Sequence, residues 1–288
     1  MKIQSLSIVV PNKACVNQCA FCVSRMRKDN YQDRISNQNS FAEIDYKNRL
    51  AFARDNNCNT VMLTGTSEPQ QNMQFLRMFG RMNRELSQPF RCIEMQTTGT
   101  LINDNMLDIM RNEVGISTIS LSIASFNDEL NNKYIGTTPY GRINIDGICR
   151  SIKDAGFNLR ISVNLTEWFE CYKTNAKDFF QYCKLLGVDQ VTMRILYDDG
   201  TDSEPSDWVR NHKLDMETTY ALVKYVTDYG KPLEKLEYGR TKYSLHGMST
   251  VIDDDCMAEE LTDTYKYLIL RPDCRLYSKW DDKASLIF

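Results

Sequence analysis

The chain has 288 residues, within reach of one large α/β-barrel domain or two ordinary domains. Hydrophobic residues make up 42% and charged residues 25%, the usual balance of a soluble globular protein. A net charge of −3, from 35 basic and 38 acidic residues, gives no global drive toward nucleic acid or an anionic membrane. No stretch approaches the ~18–20 apolar residues of a membrane span, and the apolar run after Met1 is too short for a signal peptide. The chain also holds 10 cysteines, but disulfide frameworks belong mainly to small domains. Outside one close triplet they are scattered, at Cys58, Cys92, Cys149, Cys171, Cys183, Cys256 and Cys274, and most read as small buried hydrophobes.

The first predicted strand, Ile3 to Val10, delivers the chain to Cys15-Val16-Asn17-Gln18-Cys19-Ala20-Phe21-Cys22. A C-x3-C-x2-C loop at a strand end can curl three thiolates around one centre. Iron–sulfur clusters are held by cysteine thiolates, usually four. Three thiolates without an obvious fourth suggest a cubane with one iron open to another ligand. The same residues also fit buried structural cysteines or three legs of a zinc site. Structural zinc normally shows a second Cys/His pair at ligand spacing, and none is apparent.

Beyond the triplet, Val23 to Asn39 is polar and carries Arg25, Arg27, Lys28 and Arg34. It reads as a solvated loop or as a flap that meets an anionic substrate. Ser40-Phe41-Ala42-Glu43 is a capping-box pattern opening a helix, with Phe41, Ile44 and Ala51 on one face. Thr60 to Thr64 is a short buried strand. Met73, Leu76, Phe79 and Met82 then mark an amphipathic helix. Cys92 to Thr97 is the third strand, Asn103 caps a helix through Met110, and Thr118 to Ala124 is the fourth strand. Ile145, Ile148 and Ile152 mark a helix that Gly156 stops in a left-handed turn. Leu159 to Leu165 is strand five; Ala176, Phe179, Cys183 and Leu186 belong to the next helix; Gln190 to Leu196 is strand six.

Six strands separated by helices imply parallel pairing with right-handed crossovers. The expected fold is α/β, a partial (β/α)6 TIM-like barrel over residues 1–197. Residues 198–288 change character: an acidic turn-rich run, a helix from Asp215 with Met216, Tyr220 and Val223 on one face, then strand-like segments. Tyr267 to Leu270 and Leu276-Tyr277 flank Arg271-Pro272-Asp273-Cys274, a hairpin turn. Cys274 stands where glycine is ordinary, which predicts an exposed thiol and a candidate hydrogen-atom donor. This α+β extension is expected to pack on the barrel and close its mouth or open edge. In α/β barrels the chemistry collects at the C-terminal ends of the strands, which is where the cysteine loop falls.

Cys15, Cys19 and Cys22, with Phe21 just before the third, resemble the signature of the radical S-adenosylmethionine (SAM) superfamily. That resemblance implies a partial (β/α)6 barrel and a [4Fe–4S] cluster whose open iron is chelated by the amino and carboxylate groups of SAM. It also implies reductive cleavage to methionine and a 5′-deoxyadenosyl radical that takes a hydrogen atom from a substrate. Thr64-Gly65-Thr66-Ser67-Glu68-Pro69, at the end of strand two, is similar to the family's Gly-Glu-Pro motif. By that likeness Gly65, Thr66 and Glu68 receive the SAM amine, with Ser67 departing from the usual glycine. Gln96-Thr97-Thr98-Gly99-Thr100 resembles a Thr-Asn-Gly-Thr stretch whose hydroxyls would enter the barrel mouth toward SAM or substrate. Ser120 to Ser125 resembles a Ser-Leu-Asp-Ser run, with Ala124 in place of the acid and Ser122 as the SAM-contacting serine. Arg160, Ser162 and Asn164 alternate on strand five and need polar partners. By resemblance Asn164 meets SAM, and hydrogen bonds to neighbouring side chains are the alternative. Arg194-Ile195-Leu196 is similar to the strand that packs apolar side chains such as Leu196 against the adenine, and Phe21 joins the same cofactor set.

No catalytic side chain is singled out. Cys256 and Cys274 alone do not make the C-terminal set that auxiliary clusters of the family use. His212 and His246 read as structural, and Tyr277 and Trp280 as packing or pocket lining. The substrate is expected to be a small or nucleotide-like molecule, with a peptide or protein as the alternative and RNA disfavoured by the acidic balance. A flavodoxin or ferredoxin is the implied electron donor, and thiol richness with a labile cluster implies a reducing cytoplasm. Arg25, Arg27 or Arg142 around the site would favour phosphates. The competing class is a non-catalytic iron–sulfur or zinc protein using the same cysteines. A member that binds SAM only to regulate is the third reading.

Overall fold

The computed structural model describes residues 2–26, 42–137, 141–167, 169, 176–236, 240–253, 264–280 and 283–288. Strands β1 (Lys2–Val9), β2 (Thr60–Thr64), β3 (Cys92–Thr97), β4 (Thr118–Ile123), β5 (Asn158–Leu165) and β6 (Gln190–Ile195) pair in parallel in chain order. The intervening helices are α1 (Val23–Met26), α2 (Glu43–Asp55), α3 (Met73–Arg84), α4 (Asp104–Ile109), α5 (Asp128–Ile135), α6 (Ile145–Asp154) and α7 (Ala176–Leu185). Their starts follow local chemistry: Asn72, Asn103, Asn127 and Asn144 each accept a backbone N–H of the first turn.

Period-two alternation sorts the strands into two faces. Leu6, Ile8, Val61, Leu63, Ile119, Leu121, Ile161 and Val163 are buried in the main core together with Leu50, Leu76, Ile152 and Phe180 of the helices. The alternate residues run in register across the other face: Ser120 beside Arg160 beside Gln190, Ser122 beside Ser162 beside Thr192, and Asn164 beside Arg194. This inner face is polar, and it carries the site.

Two helices bury a different face from the one expected. In α2 Tyr46, Leu50 and Ala53 are buried while Ile44 is 67% exposed. Ala42 is the residue before the helix, and it makes no side-chain cap; Ser40 and Phe41 lie outside the described residues. Helices α8 (Glu204–His212) and α9 (Met216–Tyr229) follow β6. In α9 Leu222 and Val226 face the core, whereas Met216 and Tyr220 are 89% and 69% exposed. In both cases the exposed apolar residues lie on the side of the helix away from the buried stripe, at 100° per residue.

The remaining strands are β7 (Lys231–Lys235), β8 (Thr241–Leu245), β9 (Met248–Asp253), β10 (Thr264–Leu270) and β11 (Leu276–Tyr277). All join the same sheet, in the order β11-β10-β1-β2-β3-β4-β5-β6-β9-β8-β7. Residues 198–288 thus lengthen the sheet at both edges: β9 runs parallel to β6, and β10 runs parallel to β1. Among the described residues no strand ladder joins β9 to β10, so the barrel is open there. The Lys266 ammonium reaches the Asp253 carboxylate at 3.6 Å between these two strands.

The Arg271-Pro272-Asp273-Cys274 turn does join β10 to β11 as a hairpin, with Cys274 at φ +62. Its thiol is not exposed. Cys274 is 6% accessible, and its Sγ donates to the Ala42 carbonyl at 3.5 Å because the turn folds onto the start of α2. Tyr277 packs with Val9 and Ile269, and Trp280 lies against that cluster.

Candidate active site at the cysteine loop

The loop after β1 is held from two sides. On one side, Val10 N–H donates to Thr64 O at 2.8 Å, so β1 and β2 finish together. Gly65 makes this possible: its φ is +155, and a Cβ there would sit 3.1 Å from Val10 O. Gln71 then clamps the loop, accepting from Val16 N–H at 3.1 Å and donating to Ala14 O at 2.8 Å. On the other side, carbonyls at the C-terminal end of α5 accept from the loop. Gln18 N–H reaches Ile135 O at 3.1 Å, and Ala20 N–H reaches Tyr134 O at 2.9 Å. Gly136, at φ +61, lets the loop pass so close that a Cβ would stand 2.6 Å from Gln18 O.

Cys15, Cys19 and Cys22 lie together as free, partly exposed thiols on this loop. Burial pushes the Cys19 thiol well above its ordinary value, and Cys22, Glu68 and Cys15 push it further. Burial also raises Cys15, against the N–H groups of Asn17 and Glu68 that donate toward its sulfur. Glu68 is buried, 5% accessible, and sits in a ring of donors. Thr98 gives its N–H at 3.1 Å and its hydroxyl at 2.8 Å, Asn17 gives its amide at 3.4 Å, and Thr97 gives its hydroxyl. Burial still raises the Glu68 carboxyl above its ordinary value, opposed by those hydrogen bonds. Beside it, the hydroxyls of Thr66 and Ser67 are buried with no hydrogen-bond partner among the described residues.

Cys15, Cys19 and the Glu68 carboxyl, each held toward its neutral form by burial, form with Cys22 a place built for positive charge. Iron at the sulfurs and an ammonium at Glu68 meet that requirement, and Cys15, Cys19 and Cys22 would hold the cluster. Among the described residues, no three Cys, His, Asp or Glu side chains gather on a single metal ion. Tetrahedral ligands of one zinc stand about 3.8 Å apart, from Zn–S bonds of ~2.3 Å, whereas cubane cysteines each take a different iron.

The other expected site residues fall as follows. Thr97 and Thr98 turn their hydroxyls to Glu68 instead of the open mouth. Ser122 and Asn164 meet each other, Asn164 Nδ2 donating to Ser122 Oγ at 3.2 Å and to Ile123 O at 3.3 Å. Leu196 is half-buried just past β6. The Phe21 ring packs 5.8 Å from Trp208 of α8, which also lies 5.2 Å from Tyr134 and stacks on His212 at 4.5 Å. His212 Nδ1 is 2.7 Å from a Glu167 carboxylate oxygen. Arg25 donates to Cys19 O at 3.2 Å and to Glu204 at 2.7 Å, tying the loop to α8, and Arg142 is exposed. Arg27, Lys28 and Arg34, with Cys171 and Cys256, lie outside the described residues.

Sequence reasoning passed over Asn17, α5 and Gly136. An amide between two metal-binding cysteines was the available signal for the first. A left-handed glycine ending a short Asn-capped helix was the signal for the others.

A model of the radical SAM superfamily matches residues 9–166, more than half of the chain. The chain belongs to the radical SAM superfamily. It is therefore an enzyme of that superfamily, with a [4Fe–4S] cluster and SAM as its cofactors. Native anSMEcpe with bound AdoMet aligns over 99% of this chain and 77% of its own, at 12% identity and a TM-score of 0.64. Native anSMEcpe with AdoMet and the Cp18Cys peptide aligns over 98% and 74%, at 12% identity and a TM-score of 0.60. These likenesses establish a common fold, with the mostly parallel, unclosed sheet described above. No curated protein matches the sequence. No helix among the described residues is long and apolar enough to cross a membrane.

Proposed function

We propose that this enzyme acts on a small polar or nucleotide-like substrate, with the amino and carboxylate end of SAM docked at the cysteine loop and its amine received by Glu68. The observation that carries the reading is the buried Glu68 carboxylate, ringed by Thr97, Thr98 and Asn17, the last of which also turns its backbone N–H to Cys15 Sγ at 3.4 Å. When bound, the cluster and SAM supply an electron and a 5′-deoxyadenosyl radical, which takes a hydrogen atom from the substrate. The chain's own residues orient and exclude. Gly65 and Gln71 fix the loop against β2, α5 fixes it against β4, and the side chains of α8 cover Phe21. The polar inner face supports a substrate rich in hydrogen-bonding groups. A flavodoxin or ferredoxin is the proposed electron donor. A peptide substrate is the second reading, favoured by the fold shared with anSMEcpe, whose structure includes a peptide.

The test is anaerobic reconstitution with SAM and dithionite, followed by chromatography for 5′-deoxyadenosine. Wild type is expected to form it and Cys19→Ala to form none. Glu68→Gln keeps the shape but removes a charge-assisted partner worth about 1.5–3 kcal/mol, so SAM affinity should fall at least tenfold. Equal yields from Cys19→Ala, or unchanged SAM affinity in Glu68→Gln, would refute the assignment.

A further inference from the structure

Two arginines point into the barrel, and their surroundings differ. Arg160 on β5 is neutralised: its guanidinium pairs with the buried Glu94 carboxylate and donates Nε–H to Gln190 Oε1 at 2.8 Å. Arg194 on β6 has no such anion among the described residues. Its Nε–H donates to Ser162 Oγ at 2.8 Å, and its two terminal nitrogens have no partner among the described residues. The neighbouring carboxylate in register, Asp253 on β9, is approached at 3.6 Å by Lys266. Ser162 lies nearer the strand start than Asn164, the register partner of Arg194. The Ser162 bond therefore draws the guanidinium down into the barrel rather than out toward solvent. On the same inner face Ser120 is 1% accessible, and its hydroxyl has no hydrogen-bond partner among the described residues.

The terminal nitrogens of Arg194 are accessible rather than sealed in the core, and the planar fork of a guanidinium suits carboxylate and phosphate oxygens in pairs. The site of SAM proposed above lies at the ends of β1 and β2. Strand β6 is four strands from β2 along the sheet and faces it across the barrel. We propose that the substrate carries a carboxylate or phosphate and that Arg194 is the cation that docks it, with Ser162 holding the guanidinium in place; this rests on the radical SAM reading above. The substrate class narrows accordingly, from any small polar molecule to an anionic one.

The experiment uses reconstituted holoenzyme with saturating SAM, titrated calorimetrically with malonate and with inorganic phosphate. Wild type should bind at least one of them in a one-to-one ratio. Arg194→Gln should weaken that binding tenfold or more, and Arg194→Lys, which keeps the charge and guards against a folding defect, should retain part of it. SAM affinity should stay within twofold in both variants. Absence of anion binding in wild type, or equal binding in Arg194→Gln, overturns the proposal. So does a tenfold loss of SAM affinity without anion binding, since the cation would then serve the SAM carboxylate. Formation of 5′-deoxyadenosine by wild type is measured separately. If it fails while the anion still binds at Arg194, the radical SAM reading falls and the anion site stands.

Discussion

Gly136→Ala probes how tightly the cysteine loop is held. The residue has φ +61, and an added Cβ would lie 2.6 Å from Gln18 O and 2.9 Å from Gln18 C. A left-handed alanine costs about 1–2 kcal/mol, and overpacking adds about 1–3 kcal/mol. Gly200 separates the two effects, because at φ +73 a Cβ there would meet nothing within 4 Å. Gly200→Ala therefore carries the strain alone, about 1–2 kcal/mol. Relief at Gly136 requires moving Gln18, which is bonded to Ile135 O and lies between Cys15 and Cys19. The excess cost should thus appear in the metal loop. The assay is urea unfolding of both apo variants, with iron and acid-labile sulfide counted per chain after anaerobic reconstitution. Gly200→Ala should load a full cluster, whereas Gly136→Ala should be the less stable and hold less iron. Equal destabilisation with full loading in both would refute the reasoning.

Other outcomes follow from buried groups. Arg160→Met strands Glu94, which is 4% accessible, and should cost about 3–5 kcal/mol. Adding Glu94→Gln should recover much of that, giving a coupling above about 1 kcal/mol in a double-mutant cycle by urea unfolding; strict additivity would count against the pair. Burial pushes the thiols of Cys58 and Cys149 up to about 12 from an ordinary value of 9.0. The unfolded chain gives up those protons first, so stability should fall as pH rises from 9 toward 12. Urea midpoints of the apo protein should show that slope, reduced in Cys149→Ala but not when exposed Cys92 is changed to serine. Identical slopes in all three would sink the explanation.

The repeating part of the fold was legible because its signals are local. Alternating aliphatics marked β5, a three-residue spacing marked α3, and the spacing of Cys15, Cys19 and Cys22 drew attention to the loop after β1. What escaped was pairing over long distance. Nothing near Thr250 or Tyr267 says that the strands β9 and β10 flank β6 and β1, because edge partners are chosen by the finished sheet. The outward turns of Ile44 and Met216 escaped for a related reason: each helix offers more than one apolar spacing, and the neighbouring elements decide which one is buried. Arg194 was read as part of an apolar strand by resemblance. Its meaning depends on Asp253 and Lys266, and neither is near it in sequence. Asn17, Glu68 and the threonines around it come from three separate strand ends, so their convergence became visible only in three dimensions.

The strand that carries the cysteines has its outer neighbour very late in the chain: Ser5 Oγ donates to Lys266 O across 261 positions. At a synthesis rate of about 5–20 residues per second, β1 waits roughly 13–50 s for that partner. Pairing at such separation is also slow to nucleate. Throughout that interval the metal loop hangs from an unprotected sheet border, a hazard for premature oxidation and for association between nascent chains. Iron loading is therefore expected to be a post-translational event, timed by the arrival of the last strands rather than by the emergence of the ligands themselves.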